Sequence, residues 1–182
     1  MMVSIRRARV DDLDFIVELV AHEDVQPFLA AARAYDPDTI LAEIRRSEDE
    51  PEAFGLYVIE VDGARGGTMR FVRSNALHRI ADLGGLAVHP DFRGANVADE
   101  AARLFQRHLF DDLGFHRLQV EIYSFNERAM RHAERAGFVL EGRKRRAYFR
   151  HGAWVDGVMY GLTVEDLESP SSTLPQATRV ES

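Results

Sequence analysis

The run Val-His-Pro-Asp-Phe-Arg-Gly-Ala-Asn-Val-Ala at positions 88–98 has the residue types of an anion-binding loop. A strand-like apolar segment, residues 83–88, precedes it, and a segment with helical spacing, residues 99–112, follows. The first amides of a helix have no partner inside the helix, and the helix dipole is positive at that end. The small side chains of the loop let a ligand approach the backbone closely. This pattern predicts a phosphate or pyrophosphate site, and an ordinary turn between a strand and a helix is the alternative.

The elements that must position this loop follow a mixed α/β pattern. Segments rich in β-formers and amphipathic segments occur in the order strand, two helices, three strands, helix, strand, helix and hairpin. The predicted strands and hairpin are residues 3–7, 54–61, 68–73, 80–88, 116–123 and 138–162, and the predicted helices begin at Asp11 or Asp12, at Asp36, at Ala98 and at Asn126. Aspartate at the first two of these starts suits a helix N-cap. The third predicted helix covers residues 98–113, with Ala101, His108 and Leu109 spaced for burial. We expect one domain, residues 1–167, and a disordered Ser-, Pro- and Thr-rich segment, residues 168–182.

Composition narrows the class of protein. The chain of 182 residues is 46% hydrophobic, which suits one domain with a substantial core. Its formal net charge is −7, so we expect no nucleic-acid partner, because domains that bind nucleic acid are usually basic. Cysteine is absent, which excludes disulfides, thiolate metal sites and a cysteine nucleophile. The histidines have no metal-ligand spacing, and we expect a cytoplasmic protein with no membrane partner.

Two segments resemble the GNAT superfamily of N-acetyltransferases, which use acetyl-CoA. The first, residues 86–98, is similar to the family's strand and its R-x-x-G-x-G/A loop. The second begins with Asn-Glu-Arg-Ala at Asn126 and closes with Ala-Gly-Phe at 136–138 and Glu-Gly at 141–142. The resemblance covers residues 5–167 and implies a mixed, mostly antiparallel twisted sheet of about six or seven strands, flanked by about four helices.

The resemblance implies that these segments hold acetyl-CoA. The strand before the loop would splay from its neighbour at a bulge, which Gly84-Gly85 favours. Backbone groups near Leu86 and Val88 would pair with the pantetheine amides, and one amide would stabilise the thioester oxyanion. The implied cofactor-binding residues are Leu86, Ala87, Val88, Arg93, Gly94, Ala95, Asn96, Val97 and Ala98 in the first segment, and Asn126 and Ala129 in the second. A plain helix N-cap is the other role open to Asn126.

The sequence departs from the family pattern at two positions. Asn96 replaces the second loop glycine; asparagine tolerates left-handed backbone angles, but its side chain can crowd a pyrophosphate. Many family members carry a tyrosine seven residues after the helix asparagine, as the acid for the leaving thiolate, and this chain has Ala133 there. His132 lies about 100° away round the helix, so it is no clear replacement. A catalytically impaired domain that binds CoA or a partner is therefore the alternative.

Two carboxylates are candidates for the base of the implied reaction. An amine is mostly protonated at neutral pH, so removal of a proton assists its attack on the thioester. Glu121, five residues before Asn126, is similar in position to a glutamate proposed as base in ribosomal-protein N-terminal acetyltransferases. Strand alternation turns its side chain away from Val120 and Ile122. Asp82, on the strand leading into the loop, is the second candidate, and a solvated or ion-paired surface carboxylate is the alternative for both.

The implied acceptor is a primary amine. The Glu-Gly motif and its long hairpin resemble the ribosomal-protein and polyamine acetyltransferase branch, which implies a peptide N-terminus, a polyamine or another small amine. In this fold the acceptor enters opposite the cofactor, here between residues 21–35 and 143–154. The basic run at residues 143–146 either attracts an acidic partner or is simply solvated. The family often dimerises through its C-terminal strands, so a homodimer at the hairpin around Trp154 is also expected.

Overall fold

A computed structural model describes residues 1–29 and 35–168 of the chain. Its elements are β1 (Val3–Arg7), α1 (Leu13–Ala21), α2 (Pro37–Asp49), β2 (Phe54–Val61), β3 (Ala64–Asn75), β4 (Ile80–Val88), α3 (Val97–Arg107), β5 (Arg117–Tyr123), α4 (Glu127–Arg135), β6 (Val139–Arg150), β7 (Ala153–Thr163) and α5 (Val164–Glu168). The predicted order is confirmed, and α5 is an addition. The segment predicted to be disordered lies outside the described residues beyond residue 168.

The strands form one seven-stranded sheet in the order β1-β2-β3-β4-β5-β7-β6. Neighbours are antiparallel except β4 and β5, which are parallel, so the predicted mixed, mostly antiparallel sheet is confirmed. Alternate residues of β2 enter two different apolar clusters: Tyr57 and Ile59 pack with α3 and α4, whereas Leu56 and Val58 pack with α1 and α2. Because alternate strand residues face opposite ways, the sheet carries a helical layer on each face of its N-terminal half.

Of the two helices predicted to begin at an aspartate, only α2 is capped by that side chain. The Thr39 amide donates to the Asp36 carboxylate at 3.0 Å, so the predicted N-cap of α2 is confirmed. The predicted cap of α1 is wrong in its contact: Asp12 precedes Leu13, but its side chain makes no capping hydrogen bond to the helix. A short 3-10 turn, Val10–Asp12, comes first and directs the carboxylate into the interior.

The helix predicted over residues 98–113 is not one regular helix. α3 ends at Arg107 and the chain continues as a π-helical turn, His108–Asp112. Ala101 and Leu109 are buried as expected, but His108 is only partly buried, and its Nε2 lies 2.7 Å from the Tyr57 hydroxyl. No helix within the described ranges is both long and apolar enough to cross a membrane.

Candidate active site

A fork between β4 and β5 is the central feature of the site. The two strands pair in parallel only from Ile80 with Arg117 to Leu83 with Val120. Beyond that point β4 stays paired with β3, whereas β5 stays paired with β7. The strands therefore diverge, and the facing edges of residues 84–88 and 121–123 are left open to an extended ligand.

A bulge in β4 opens this fork. Thr68 of β3 pairs with Ala87, but Arg70 pairs with Gly84, so Gly85 and Leu86 together lie opposite one β3 residue. The φ angle of Gly85 is +62°, in the left-handed region that glycine adopts without strain. A bulge bends its strand and increases the local twist, which turns β4 away from β5. The predicted distortion at the glycine pair is confirmed.

Val88 directs its backbone into the fork. The His89 amide donates to the Gly66 carbonyl at 2.8 Å, so these two residues form a hydrogen-bonded pair of the β3–β4 ladder. Such pairs alternate with pairs whose N–H and C=O groups point outward, and Val88 with Gly67 is the next pair. The Val88 carbonyl accepts from Arg93 Nε at 3.2 Å. By the same alternation, we expect the Val88 N–H to point toward the open edge.

The loop after β4 ends at an uncapped helix N-terminus. Gly94 and Asn96 have φ angles of +86° and +59°, so asparagine does adopt the left-handed conformation of the missing glycine. Asn96 precedes α3 without a side-chain capping hydrogen bond. Ala95 is exposed, Val97 is buried beneath the first turn, and a Cβ added at Gly94 would meet nothing within 4 Å. Open amides at a helix N-terminus fit a pyrophosphate group.

Arg93 does not point at this N-terminus. Its guanidinium donates to the Val88 and Asp24 carbonyls at 3.2 and 3.3 Å and lies 3.6 Å from the Asp24 carboxylate. The side chain therefore ties the loop to the segment after α1. We therefore expect this predicted cofactor residue to meet an anion with its backbone.

The carboxylate of Asp99, in the first turn of α3, is paired with basic side chains of α4. His132 Nδ1 and Arg135 Nη2 lie 2.7 and 3.2 Å from Asp99 Oδ1. The hydrogen bond from Arg135 lowers the pKa of Asp99, burial opposes that shift, and His132 adds to it. His132 thus joins α4 to α3, and the negative charge of Asp99 is compensated beside the anion site.

The helix α4 presents no acid at the expected position. The Ala129 amide donates to Asn126 Oδ1 at 3.1 Å, so the N-cap role of Asn126 is confirmed. Ala133 is 4% exposed and packs in the apolar cluster beneath α3 and α4. Ala129 packs against the same cluster. The position at which the family pattern has a tyrosine is therefore buried in the apolar core of this chain.

Glu121 lies at the base of the fork. It directly follows Val120, the last β5 residue paired with β4. Its Oε1 accepts from the Tyr148 hydroxyl at 2.7 Å, and its Oε2 accepts from Lys144 Nζ at 2.6 Å. The side chain is 28% exposed. The sequence does not indicate that Tyr148 and Lys144 are its partners, because they lie 27 and 23 residues away along the chain.

Asp82 occupies the paired part of the two strands. Its Oδ1 accepts from Gln119 Nε2 at 2.5 Å and from the Ser74 hydroxyl at 3.1 Å. Gln119 is its register partner on β5. Asp82 and Glu121 share one face of the sheet, but only Glu121 adjoins the opening. Within residues 1–29 and 35–168, no group of three or more His, Asp or Glu side chains could hold a metal ion.

A buried arginine joins the two segments between which the acceptor is predicted to enter. Arg150 donates to the carbonyls of Leu29 and Pro27 at 2.8 and 3.0 Å, and its guanidinium lies 5.0 Å from the Tyr123 ring centroid. Phe125 stacks on Tyr123 at 5.5 Å. The hairpin and the segment after α1 therefore meet, and residues 30–34 of that segment lie outside the described residues. The basic run is ion-paired at Lys144 and at Arg143, which contacts Asp156.

Comparisons with known proteins agree with this geometry. Spermidine N(1)-acetyltransferase of Escherichia coli (strain K12) is 23% identical over 156 residues, 86% of this chain and 83% of that protein. The uncharacterized N-acetyltransferase YokL of the SPbeta prophage of Bacillus subtilis (strain 168) is 36% identical over 83 residues, 46% of this chain and 47% of YokL. This chain thus matches about half the length of YokL.

A solved structure shares the whole fold. RimL, a ribosomal L7/L12 alpha-N-protein acetyltransferase in complex with coenzyme A, has a TM-score of 0.79 at 17% identity, covering 91% of this chain and 96% of RimL. The profile of the acetyltransferase (GNAT) domain family matches residues 3–139. The predicted fold and enzyme class are confirmed, and the chain belongs to the GNAT family of acetyltransferases.

Proposed function

We propose that the protein transfers an acetyl group from acetyl-CoA to a primary amine. The observation that carries the proposal is the β4–β5 fork, which ends at Glu121 and opens toward the uncapped N-terminus of α3. An extended pantetheine arm fits between the open edges, and a pyrophosphate fits the amides of residues 94–98. RimL, of the same fold, was solved with coenzyme A.

Different residues of the fork would stabilise the developing oxyanion and remove the proton from the amine. Acetyl-CoA supplies an activated acyl group as a thioester. The Val88 N–H donates to the carbonyl oxygen and stabilises the negative charge that develops on it. Glu121 accepts a proton from the acceptor ammonium, since a protonated amine is not a nucleophile. Ala133 has no proton to give, so water protonates the departing thiolate.

The acceptor that we propose is a polyamine, a peptide N-terminus or another small primary amine. The Glu121 carboxylate and the Tyr123 and Tyr148 rings attract an ammonium group by charge and by cation–π interaction. Relatives named for spermidine and for ribosomal L7/L12 support the same two classes. A thiol-release assay with peptides, polyamines and amino acids, read with mass spectrometry of the products, tests the proposal.

The alternative is a domain that binds CoA without turnover, which buried Ala133 favours. Thermal unfolding separates the two functions. CoA at a hundred times its Kd should stabilise the fold by about 2.7 kcal/mol in both cases. Stabilisation without acetylation of any amine would favour the binding domain. If CoA neither stabilises the fold nor supports acetylation, both functions are contradicted.

We also propose a cytoplasmic homodimer that forms through the β6–β7 hairpin. The rings of Phe149 and Trp154 pair at 5.5 Å and are 59% and 62% exposed. A cysteine-free chain suits a reducing compartment. If the hairpin is the interface, Trp154→Ala is expected to lower the mass measured by light scattering to that of a monomer, and an unchanged mass would contradict this interface.

The loop glycine gives a prediction for cofactor affinity. Gly94→Ala is expected to weaken CoA binding about tenfold, because a φ of +86° costs an alanine roughly 1–2 kcal/mol and the loop would relax away from it. The open space around the position excludes a direct clash as the cause. Calorimetric titration with CoA measures the change. Gly152→Ala, at φ +79° in the distant hairpin, is the matched control and should bind CoA normally.

A second glycine positions the candidate base. A Cβ at Gly157 would overlap Glu121 Oε1 and lie 2.9 Å from Tyr148 Cε2. Gly157→Ala is therefore expected to displace the carboxylate and lower kcat about tenfold, with CoA affinity unchanged. Gly161→Ala makes the equivalent overlap with Glu141, a carboxylate away from the fork. If both variants lose equal activity, the effect is a general one on β7 and the positioning role is wrong.

A further inference from the structure

Lys144 is the one lysine among the 182 residues, although the chain has many arginines. Its Nζ lies 2.6 Å from Glu121 Oε2, which makes it the ammonium group that the candidate base already holds. Arginine cannot lose its proton in a protein and so is no acyl acceptor, whereas lysine can. The only side-chain primary amine of the chain is therefore bound where the acceptor amine of the proposed reaction must be.

The sheet gives Lys144 a path to that position. On β7, Gly157 lies between Lys144 of β6 and Tyr123 of β5 in register. Since glycine has no side chain, the Lys144 stem crosses β7 and reaches the Glu121 carboxylate. The lysine side chain remains 50% exposed, so the protein does not bury it away from ligands. Tyr148, which donates to the other oxygen of Glu121, fixes the carboxylate in place.

We propose that Lys144 is a self-acetylation site, at which the protein transfers an acetyl group from acetyl-CoA to its own Nζ. The inference deepens the proposed function and rests on it. In this arrangement Lys144 competes with an external amine for Glu121. Acetylation removes the charge of Lys144 and releases the carboxylate from its ion pair.

The step balances without a further reactant. The Lys144 ammonium gives one proton to Glu121, which passes it to water. The neutral amine attacks the thioester carbonyl, the N–C bond forms and the C–S bond breaks. The second nitrogen proton passes through water to the departing thiolate, which leaves as the free thiol of CoA, and the product is Nε-acetyl-lysine. The hydrogen bond to Glu121 raises the pKa of Lys144, so the amine is protonated at neutral pH and must lose a proton before it attacks.

The test uses the full chain and acetyl-CoA with no added amine. Intact mass followed by peptide mapping should find one acetyl group on Lys144, formed at a rate per molecule that does not depend on protein concentration. Glu121→Gln should slow this modification about a hundredfold. CoA-induced thermal stabilisation of each variant confirms that it is folded and binds the cofactor.

The matched control is the double variant Lys144→Arg with Arg145→Lys, which keeps one lysine but moves it one position from Glu121. Lys144 of the native chain should be acetylated at least tenfold faster than the relocated lysine of the double variant, whose acetylation rate measures the uncatalysed background. Equal rates would overturn the inference, as would an unmodified Lys144 in a protein that acetylates added amines. Stabilisation by CoA with neither reaction would overturn the proposed transfer activity as well.

Discussion

Glu121→Gln is expected to lower kcat for acetylation of an external amine by about a hundredfold or more, with little change in the Kd for CoA. General-base catalysis contributes roughly that factor, and an amide cannot accept the ammonium proton. Glutamine keeps the shape of the side chain and can still accept from the Tyr148 hydroxyl, so the fork should not collapse. Thiol release under saturating amine gives kcat, and calorimetry with CoA gives Kd.

Glu141→Gln is the control for this variant. Glu141 forms an ion pair with Arg117 and lies over Gly161, much as Glu121 pairs with Lys144 and lies over Gly157. It is not at the fork, so its replacement should leave kcat within about twofold. If Glu121→Gln retains full turnover, Glu121 is not the base; if Asp82→Asn then abolishes turnover, the second candidate takes the role.

Local sequence signals predicted the order of the elements, whereas the arrangement of the sheet and the shape of the cofactor side were implied by the resemblance to the GNAT superfamily. Residue periodicity gave the order of strands and helices because each element alternates over a short window. The resemblance implied a bulge in β4, which lies at Gly85 and Leu86, and a left-handed turn at Asn96. Both suit this sequence because glycine and asparagine tolerate such backbone angles.

Partners distant in sequence were not predictable. Tyr148 and Lys144 reach Glu121 from another strand, and their contact depends on how β6, β7 and β5 are ordered in the sheet. Arg150 belongs to a basic hairpin by sequence, yet it is buried against the carbonyls of Pro27 and Leu29. The spacing of two residues along the chain does not predict such contacts, since they form only when the strands assemble into the sheet.

Asp12 illustrates the same limit at a helix start. Its type and position indicated an N-cap, which depends only on neighbouring residues. Its carboxylate is 1% exposed and accepts instead from Arg6 Nη1 at 2.7 Å, Arg65 Nε at 2.7 Å and the Arg9 amide at 2.8 Å. Arg65 comes from β3, so a local pattern could not reveal that this aspartate joins α1 to the sheet.

We expect Asp12→Asn to lower the free energy of unfolding by about 3 kcal/mol at neutral pH. Removing one partner of a buried ion pair costs about 3–5 kcal/mol, and the lower figure applies because both arginines are partly exposed. The amide retains the size of the side chain, so a cavity does not contribute. Urea unfolding followed by circular dichroism measures the difference between the variant and the native chain.

The pH dependence of this difference in the free energy of unfolding shows whether it comes from the charge of Asp12 or from its packing. Burial alone would raise the pKa of Asp12, but the hydrogen bonds from Arg6, the Arg9 amide and Arg65 hold it well below its usual range. A lowered folded-state pKa stabilises the fold fully above the unfolded pKa of about 3.9, and this stabilisation is lost progressively as pH falls from there through the folded-state pKa. The stability difference between the native chain and Asp12→Asn should therefore begin to shrink below about pH 4 and should vanish only in stronger acid. Asp11→Asn, an exposed neighbour that contacts Arg65 only through its carbonyl, should show neither effect. A difference that persists undiminished in acid would mean that packing, and not the charge of Asp12, holds α1 to the sheet.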